Sequence, residues 1–451
     1  MSQPTSSPQS RRSFLQTGAG AVAGLVAARL PIGATPTPRQ RLAVVGTGIR
    51  GITLWGRTLQ RDYSDAVELV GLCDTNPGRL AFASQFIGAG CPTYTDFGRM
   101  LVEARPQRVV VTTVDNSHAA LIVQALDAGC HVITEKPLTT DETGVQAILD
   151  AVARHDRDIV VAHNYRYAPH RLRIKEILRS GRIGEVTSAD FHWYLDTSHG
   201  AAYFRRWHGK ERFSGTLFVH KACHHFDLLG WWLESEPEVV YAQGALRHYG
   251  GNNSFRSTRC RGCAHAERCD YFWDISKSPL MVQLYADHEH HDGYIRDGCV
   301  WSEEIDIFDQ MAAQIAFANG VQVSYSCTTY SPYEGYRIAF NGTRGRLEAW
   351  IFESQPWGVP DYDELRLTDN FGASELIRIP HDDGGHGGGD PKMLDRILRE
   401  PDGPDPLRQA AGSRQGAMAV LLGIGARKSA RSGQPVRIAD LSSLSPRATW
   451  A

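Results

Sequence analysis

The segment Arg41-Leu42-Ala43-Val44-Val45-Gly46-Thr47-Gly48-Ile49-Arg50-Gly51 is the strongest indication of the fold. Its first five residues form a short β-prone run of the kind that is buried in a parallel sheet. The run enters a G-x-G-x-x-G turn, and residues 52–59 then predict a helix. Gly46 permits the tight turn, Gly48 lets the backbone approach a pyrophosphate, and Gly51 lets helix and strand pack closely. All six residues of the turn are therefore candidate dinucleotide-binding residues.

The end of the next predicted strand strengthens this prediction. The apolar run at residues 67–73 ends at Asp74, where the ribose-binding acid of a dinucleotide site belongs. A carboxylate there accepts hydrogen bonds from both ribose hydroxyls and repels a 2′-phosphate, so we expect NAD rather than NADP. The following Asn76 and Arg79 keep NADP open, and Asp74 can alternatively be a helix N-cap.

Strands and helices continue to alternate along the first third of the chain. Residues 108–113 and 131–134 predict strands, and residues 117–128 predict a helix between them. This alternation predicts an α/β domain, a doubly wound parallel sheet that binds ligands at the carboxyl ends of its strands. The polar residues that follow two of these ends are candidates for the cofactor site: Thr113, Asp115, Asn116, His118, Glu135 and Lys136.

The character of the sequence changes after about Arg171. Alternating segments at residues 184–194, 321–327 and 336–340 predict strands with one buried face. We therefore expect a second, α+β domain built on a large, mostly antiparallel, open-faced sheet. The expected organisation is a leader and linker at 1–38, an NAD(P)-binding domain at 39–165, and a substrate-binding domain at 166–451 with a Cys-containing insertion near 255–300.

A histidine-rich segment at residues 219–232 carries the candidate catalytic groups of the second half. It predicts one helix, on which His220, His224 and Asp227 share a face. We expect His224 to transfer a proton, because histidine titrates near working pH. Lys221 is expected to bind substrate or share that role, and Asp227 to orient His224 or hold the helix. The paired histidines also leave a metal site open.

Two motifs carry a resemblance to a known family. The tripeptide Glu135-Lys136-Pro137 follows Ala128-Gly129-Cys130-His131-Val132, and a second motif is Asn164-Tyr165-Arg166-Tyr167. With these motifs the chain resembles the glucose-fructose oxidoreductase, inositol dehydrogenase and MocA family over nearly all its length after residue 38. The first acidic residue of the family's catalytic segment is replaced here by His220.

The resemblance implies a nicotinamide-dependent oxidoreductase that acts on a hydroxyl of a sugar, glycoside or cyclitol. It places Lys136 between nicotinamide and substrate, Asn164 at the cofactor, and Tyr165 and Arg166 at a carbohydrate substrate. A partly desolvated lysine there either takes up a proton at lowered pKa or, as a cation, polarises the hydroxyl oxygen. The alternative is an NAD-dependent glycoside hydrolase that oxidises its substrate only transiently. The open sheet face implies a homo-oligomer.

The N-terminus predicts export. Ser10-Arg11-Arg12-Ser13-Phe14-Leu15 precedes an uncharged run to Ala28, a layout that resembles a twin-arginine signal peptide. The run is short and rich in Gly and Ala, which argues against a permanent membrane anchor. We expect the twin-arginine machinery as a partner, a periplasmic or extracellular location, and a tightly bound cofactor. The formal net charge of -2 gives no reason to expect a nucleic-acid partner.

Two loop features complete the candidate sites. Cys260, Cys263, Cys269 and Cys299 predict either a structural zinc site or disulfides, with free thiols as a third alternative. His386 lies in the glycine-rich run at residues 385–390. Glycines let backbone approach a ligand closely, so His386 is a candidate substrate contact, although a mobile surface loop is equally compatible.

Overall fold

The computed structural model describes residues 39–450, and the predicted signal segment lies outside the described residues. A π-helical turn, Thr53–Thr58, joins the first two helices of the chain. The other elements of the first part are β1 (Gln40–Val45), α1 (Ile49–Ile52), α2 (Leu59–Asp62), β2 (Val67–Cys73), α3 (Pro77–Ile87), β3 (Thr93–Tyr94), α4 (Phe97–Ala104), β4 (Arg108–Val111), α5 (His118–Asp127), β5 (His131–Thr134), α6 (Glu142–Arg154) and β6 (Ile159–Val161).

The six strands of this part form one parallel sheet in the order β3-β2-β1-β4-β5-β6. The central strand β1 buries Leu42, Ala43 and Val44 completely, because helices cover both faces of such a sheet. The strand order reverses between β1 and β4, where doubly wound sheets bind their ligands. The predicted Rossmann domain is confirmed.

The second part of the chain contains the remaining helices and strands. These are α7 (Pro169–Arg179), β7 (Val186–Asp196), α8 (Thr197–Arg205), α9 (Glu211–Ser214), α10 (Leu217–His220), α11 (Ala222–Leu233), β8 (Pro237–Ala245), α12 (Pro279–Leu284), β9 (Gln310–Phe317), β10 (Gln322–Ser331), β11 (Glu334–Gly342), β12 (Gly345–Ser354), β13 (Tyr362–Asp369), β14 (Ser374–Pro380), α13 (Gly389–Leu398), α14 (Ser413–Ser432) and β15 (Val436–Arg437).

Nine of these strands form a second sheet in the order β14-β13-β12-β11-β7-β10-β9-β8-β15. All its pairs are antiparallel except β7 with β10. Along β7 the side chains alternate, so that Phe191, Trp193 and Leu195 are fully buried. The expected mostly antiparallel sheet is confirmed. Among residues 39–450, no helix has the length and apolar character needed to cross a membrane.

The expected single helix over residues 219–232 is wrong. Helix α10 ends at His220 and a new helix, α11, begins at Ala222, with Lys221 between them. Every residue of α11 is buried, so packing rather than an amphipathic pattern determines where the helix begins. The break sends the side chains of His220 and His224 to different partners, which the helical spacing did not predict.

An insertion of irregular structure connects β8 to β9. Its helix α12 and the 3-10 segment Ala286–His291 lie against the Rossmann domain. There Leu284 and Tyr285 are buried in the same apolar cluster as Leu42 and Val44 of β1. The insertion therefore packs on the nucleotide-binding half rather than projecting into solvent.

Candidate active site

The glycine-rich turn has the close contacts that a dinucleotide loop requires. Gly46 has a φ of +96°, and a Cβ there would lie 2.7 Å from the backbone of Thr112. A Cβ on Gly51 would lie 2.1 Å from the carbonyl oxygen of Gly46. Side chains are thus excluded at both positions, and the loop fits the pyrophosphate of a dinucleotide.

Asp74 lies beside this loop at the end of β2. Its carboxylate accepts hydrogen bonds from the backbone N–H of Thr47 at 2.8 Å, the hydroxyl of Thr47 at 2.9 Å, and the backbone N–H of Asn76 at 2.8 Å. Arg79 lies 3.4 Å from Asp74 and 2.5 Å from Asp292. Because two carboxylates neutralise Arg79, the charge that would attract a 2′-phosphate is already satisfied.

Of the polar residues at the end of β4, some are buried and hydrogen-bonded and others are exposed. His118 is buried, and its ring nitrogens lie 2.9 Å from the carbonyl oxygen of Pro137 and 3.2 Å from that of Thr113. Thr113 and Ser117 share a hydrogen bond of 2.7 Å, while Asn116 is exposed at the same edge. His118 therefore joins the ends of β4 and β5, which positions the segment that carries Lys136.

A buried network joins the turn to the second domain. Arg50 donates to Glu135 at 2.6 Å and makes two hydrogen bonds of 3.0 Å to Asp390. Asp390 also accepts from the side-chain amide of Asn164 at 2.7 Å and lies 3.0 Å from His386 Nδ1. Burial opposes ionisation of Asp390, but the hydrogen bonds from His386 and Arg50 hold its pKa well below the usual range.

The sequence pattern pointed to His386 in the glycine-rich run but not to Asp390, which lies at the end of the same run. A usable signal was present, because Asp390 directly follows Gly389 at the start of α13. Gly389 lies against Asn164, where a Cβ would come within 2.5 Å of the carbonyl oxygen of Asn164. The glycines thus let the chain approach the crossing segment and deliver the carboxylate to Arg50.

Lys136 extends from the end of β5 toward the second domain. Its Nζ donates a hydrogen bond of 3.2 Å to the carbonyl oxygen of His220. Burial lowers the pKa of Lys136, partly offset by Cys223 and Asp115. The side chain is only half-buried. Lys136 therefore lies at the boundary of the two domains, with its nitrogen bonded to the second domain.

His220 and Asp115 form a short pair next to Lys136. His220 Nδ1 lies 2.5 Å from the carboxylate of Asp115, and both side chains are buried. Burial raises the pKa of Asp115 well above its usual range and lowers the pKa of His220 well below its own. The pair is thus stabilised as one hydrogen bond, which orients His220 and fixes the carbonyl that Lys136 contacts.

His224 has a different environment. Its ring stacks on Tyr165 with the ring centres 4.0 Å apart and the planes within 12°. Among the described residues its Nδ1 has no hydrogen-bond partner. Burial, and then the charges of Lys136 and Lys221, lower the pKa of His224 well below 6.5. His224 is therefore neutral near pH 7, with one ring nitrogen that has no partner among the described residues.

Lys221 contacts the hydroxyl end of Tyr165. Its Nζ donates to the Tyr165 hydroxyl at 2.9 Å and lies 4.8 Å from the ring centre of Trp193. Burial opposes its charge, but Tyr203 and the carboxylate of Glu334 raise its pKa. Lys221 thus remains a cation that fixes Tyr165, and through it the ring that supports His224.

The expected substrate contact of Arg166 is corrected, whereas Asp227 has the second of its two expected roles, which is to hold the helix. Arg166 donates two hydrogen bonds to Asp227, at 2.7 and 2.6 Å, and the two residues are 0% and 3% exposed. Arg166 is consumed by this ion pair and cannot reach a substrate. Asp227 does not contact His224, because the arginine occupies both its oxygens. The pair instead holds α11 against the crossing segment.

The four insertion cysteines, Cys260, Cys263, Cys269 and Cys299, line one small pocket. All nine cysteines of the chain are free thiols in the structure, which favours the third of the three alternatives over disulfides. Within residues 39–450 no group of three or more His, Cys, Asp or Glu side chains is arranged to hold a metal ion. Cys260 instead accepts a hydrogen bond of 2.9 Å from Arg205.

Comparison with known proteins agrees with this architecture. YteT of Bacillus subtilis (strain 168), which is named as an oxidoreductase, is 35% identical over 425 residues, covering 89% of this chain and 98% of YteT. A glycosyl hydrolase family 109 protein of Shewanella pealeana is 24% identical over 441 residues, covering 88% and 89% of the two chains. The crystal structure of myo-inositol 2-dehydrogenase from Lactobacillus plantarum shares the fold, with a TM-score of 0.61 at 19% identity, over 89% of this chain and 99% of that one.

Two family models match the chain. The model "Oxidoreductase family, NAD-binding Rossmann fold" matches residues 40–163. The model "Oxidoreductase family, C-terminal alpha/beta domain" matches residues 175–438. The chain therefore belongs to the NAD-binding oxidoreductase family of glucose-fructose oxidoreductase, inositol dehydrogenase and MocA.

Proposed function

We propose that this protein is an NAD-dependent oxidoreductase that acts on a hydroxyl of a small sugar, glycoside or cyclitol. The observation that carries the proposal is the meeting of Lys136, from the nucleotide-binding half, with His220, Lys221 and His224 of the second half. The first half supplies the dinucleotide-binding turn and Lys136, and the second half supplies the histidines. The direct test is to incubate the protein with NAD and a panel of sugars and cyclitols and to follow NADH formation.

When bound, the nicotinamide supplies the hydride acceptor for this chemistry. The residues of the chain bind the hydroxyl and move its proton. We assign the proton acceptor to the neutral imidazole of His224, and the polarisation of the hydroxyl oxygen to Lys136 Nζ. Lys221 and Tyr165 hold the imidazole in place. His386 lies beside these residues, with its ring centre 5.8 Å from that of Tyr165. Its Nδ1 bonds Asp390.

The pH dependence of oxidation follows from the position of His224. Its pKa lies well below 6.5, so the form that accepts a proton persists as the pH falls through 6.5. Protonation of His224 should therefore leave kcat/KM for oxidation unchanged through neutral pH and lower it only at more acidic pH. His224→Asn is expected to lower the rate roughly 100-fold or more and to remove that acid limb.

The matched control for His224 is His192→Asn, since His192 bonds Ser326 on the second sheet at 2.9 Å, away from the pocket. The measurement is kcat/KM across the pH range for both variants and the parent. A His224 variant with the parental pH profile and a rate within about threefold would remove His224 from proton transfer.

Cofactor choice is expected to favour NAD, because Asp74 occupies the ribose-binding position and Asp292 neutralises Arg79. Asp292→Ala frees Arg79 to meet a 2′-phosphate, so we expect the NADP-to-NAD ratio of kcat/KM to rise roughly 3- to 10-fold. Glu103→Ala, which removes an equal charge from an exposed pair with Arg99, is the control. An unchanged ratio in the Asp292 variant contradicts this role of Arg79.

A redox-neutral glycoside hydrolase is the second candidate. The similarity to a glycosyl hydrolase family 109 protein over 88% of this chain favours it. A cycle that returns the hydride needs no second oxidant, which suits an enzyme outside the cell. Release of a chromogenic aglycone without added NAD, together with uptake of solvent deuterium at a sugar carbon, would establish this activity. NADH accumulation with neither signal would establish the dehydrogenase.

We also propose, from the sequence of residues 10–28, that the protein is exported by the twin-arginine route with its cofactor tightly bound. The paired arginines at positions 11 and 12, with Phe14 and Leu15, support this proposal. Replacing both arginines by lysine should leave the protein in the cytoplasm, as cell fractionation would show. A homo-oligomer and a structural zinc at the four insertion cysteines stay predictions, which mass in solution and metal content would check.

A further inference from the structure

The insertion between β8 and β9 contacts the dinucleotide loop directly. The hydroxyl of Tyr285 accepts a hydrogen bond of 2.8 Å from the backbone N–H of Ile49, inside the G-x-G-x-x-G turn. A Cβ on Gly48 would lie 3.3 Å from the same hydroxyl oxygen. This tyrosine is anchored, because it is buried with Leu284 against the core of the Rossmann domain. Part of the insertion therefore lies where the loop faces a ligand.

The same segment follows the adenosine side of the sheet edge. The side-chain amide of Asn76 donates to the backbone oxygen of His288 at 2.9 Å. The ring of His288 lies over Gly78, where a Cβ would come within 2.3 Å of it. Asp292 binds Arg79 at 2.5 Å. Residues 279–292 thus run along the edge where β2 ends, next to the carboxylate of Asp74.

Two arginines without a counter-charge lie next to Tyr285. The guanidinium carbon of Arg296 is 4.7 Å from the ring centre of Tyr285, and its Nη1 contacts the hydroxyl of Tyr294 at 3.4 Å. Arg206, at the end of α8, donates to the carbonyl oxygen of Ala202 at 2.5 Å. Burial and the nearby charge of Arg296 lower the pKa of Arg206 to about 10.

Neither arginine has an ion-pair partner within residues 39–450, although most buried or half-buried arginines there do. Both residues are half-buried rather than fully exposed, so solvent screens their charges only in part. Two neighbouring cations held in this way are unfavourable unless an anion joins them. Planar guanidinium groups bind phosphate oxygens in pairs, which favours a phosphate-bearing ligand.

We propose that Arg206 and Arg296, which lie beside the anchored Tyr285, form an anion-binding clamp for the pyrophosphate of the dinucleotide next to the glycine-rich turn. The proposal rests on the proposed function, since it assumes that the ligand of the turn is NAD. It makes the insertion a cofactor-retaining element, because the turn and the clamp enclose the pyrophosphate between two domains. Arg206 lies 5.6 Å from the ring centre of Tyr203, and the rings of Tyr203 and His220 are 5.3 Å apart. The clamp therefore lies between the glycine-rich turn and the residues around His220, as a dinucleotide would require.

The test measures binding rather than turnover. NAD, ADP and adenosine are titrated into the dinucleotide-free full chain, and the dissociation constants of the parent are compared with those of Arg206→Gln and Arg296→Gln. We expect each variant to weaken NAD and ADP roughly 10-fold or more, because a charge-assisted hydrogen bond to the pyrophosphate is lost, and to leave adenosine unchanged. Tyr285→Phe should weaken NAD and ADP less, because it removes one neutral hydroxyl.

The control is Arg256→Gln, which removes an equal charge from an exposed pair with Glu303 on the same insertion. Arg296→Lys keeps the charge and should retain part of the affinity, which guards against misfolding of the glutamine variants. Equal NAD affinity in parent and glutamine variants overturns the clamp, as does a raised KM for a phosphorylated substrate with unchanged NAD binding. A parent that binds no NAD overturns the proposed function instead, so the two failures are distinguishable.

Discussion

Lys136→Ala abolishes turnover, lowering kcat roughly 1000-fold or more, and leaves the affinity for NAD within about threefold. The reason is the position of Lys136 at the end of β5, where its Nζ reaches the second domain at the carbonyl of His220. We expect the cofactor to be held mainly by the glycine-rich turn and Asp74, which the substitution does not touch. The loss should therefore appear in the chemical step and not in dinucleotide binding.

The measurement pairs steady-state kinetics with an NAD titration of the same preparation. Lys392→Ala is the matched control, because it removes an ammonium group that pairs with Asp382 at the surface. Lys136→Met, which keeps most of the volume, separates loss of the charge from loss of packing. Full activity in the alanine variant would mean that the active site lies elsewhere.

Asp227→Ala is expected to lower the free energy of unfolding by about 3–5 kcal/mol, because it leaves the buried charge of Arg166 without its partner. Arg166 has no exposed surface and both its bonds to Asp227 are shorter than 2.8 Å. The folded fraction should keep its kcat, since neither residue faces the pocket. Chemical denaturation, read beside activity at a temperature where the variant is folded, checks both expectations.

The comparison for this prediction is Asp127→Ala, whose surface partners Arg154 and His155 predict a much smaller loss of stability. The double variant Arg166→Met/Asp227→Leu should recover most of the lost stability, because it removes both charges together. A stable Asp227→Ala protein without activity would instead restore the catalytic role that the sequence suggested.

Local patterns in the sequence predicted most of the nucleotide-binding half. The order of strand, G-x-G-x-x-G turn and helix depends on short-range geometry, so it could be read without the fold. Asp74, Glu135 and Lys136 follow strands directly, and parallel strands bring their carboxyl ends to one edge. These positions needed only the alternation of strands and helices.

Local sequence patterns could not predict which residues distant in the sequence would contact each other. The spacing of His220, His224 and Asp227 indicated a shared helical face, yet the chain breaks at Lys221 and each residue meets a different partner. Asp227 takes Arg166, 61 positions away, and Asp390 takes Arg50, 340 positions away. No periodicity encodes such pairings, because tertiary packing decides them.

The unpaired arginines illustrate the same limit. Arg206 follows α8, and Arg296 lies in the insertion, in segments with no recognisable motif. Only the packing of Leu284 and Tyr285 on the Rossmann core brings these segments beside the glycine-rich turn. Their role depends on the fold of the insertion, which its composition did not predict.

This chain belongs to an NAD-binding oxidoreductase family, and we expect it to hold a nicotinamide dinucleotide between its two domains. The most direct measurement is to denature the purified protein and quantify the dinucleotide that it releases. We expect close to one NAD or NADH per chain, retained through gel filtration. A protein that releases none and binds no added NAD or NADP would contradict it.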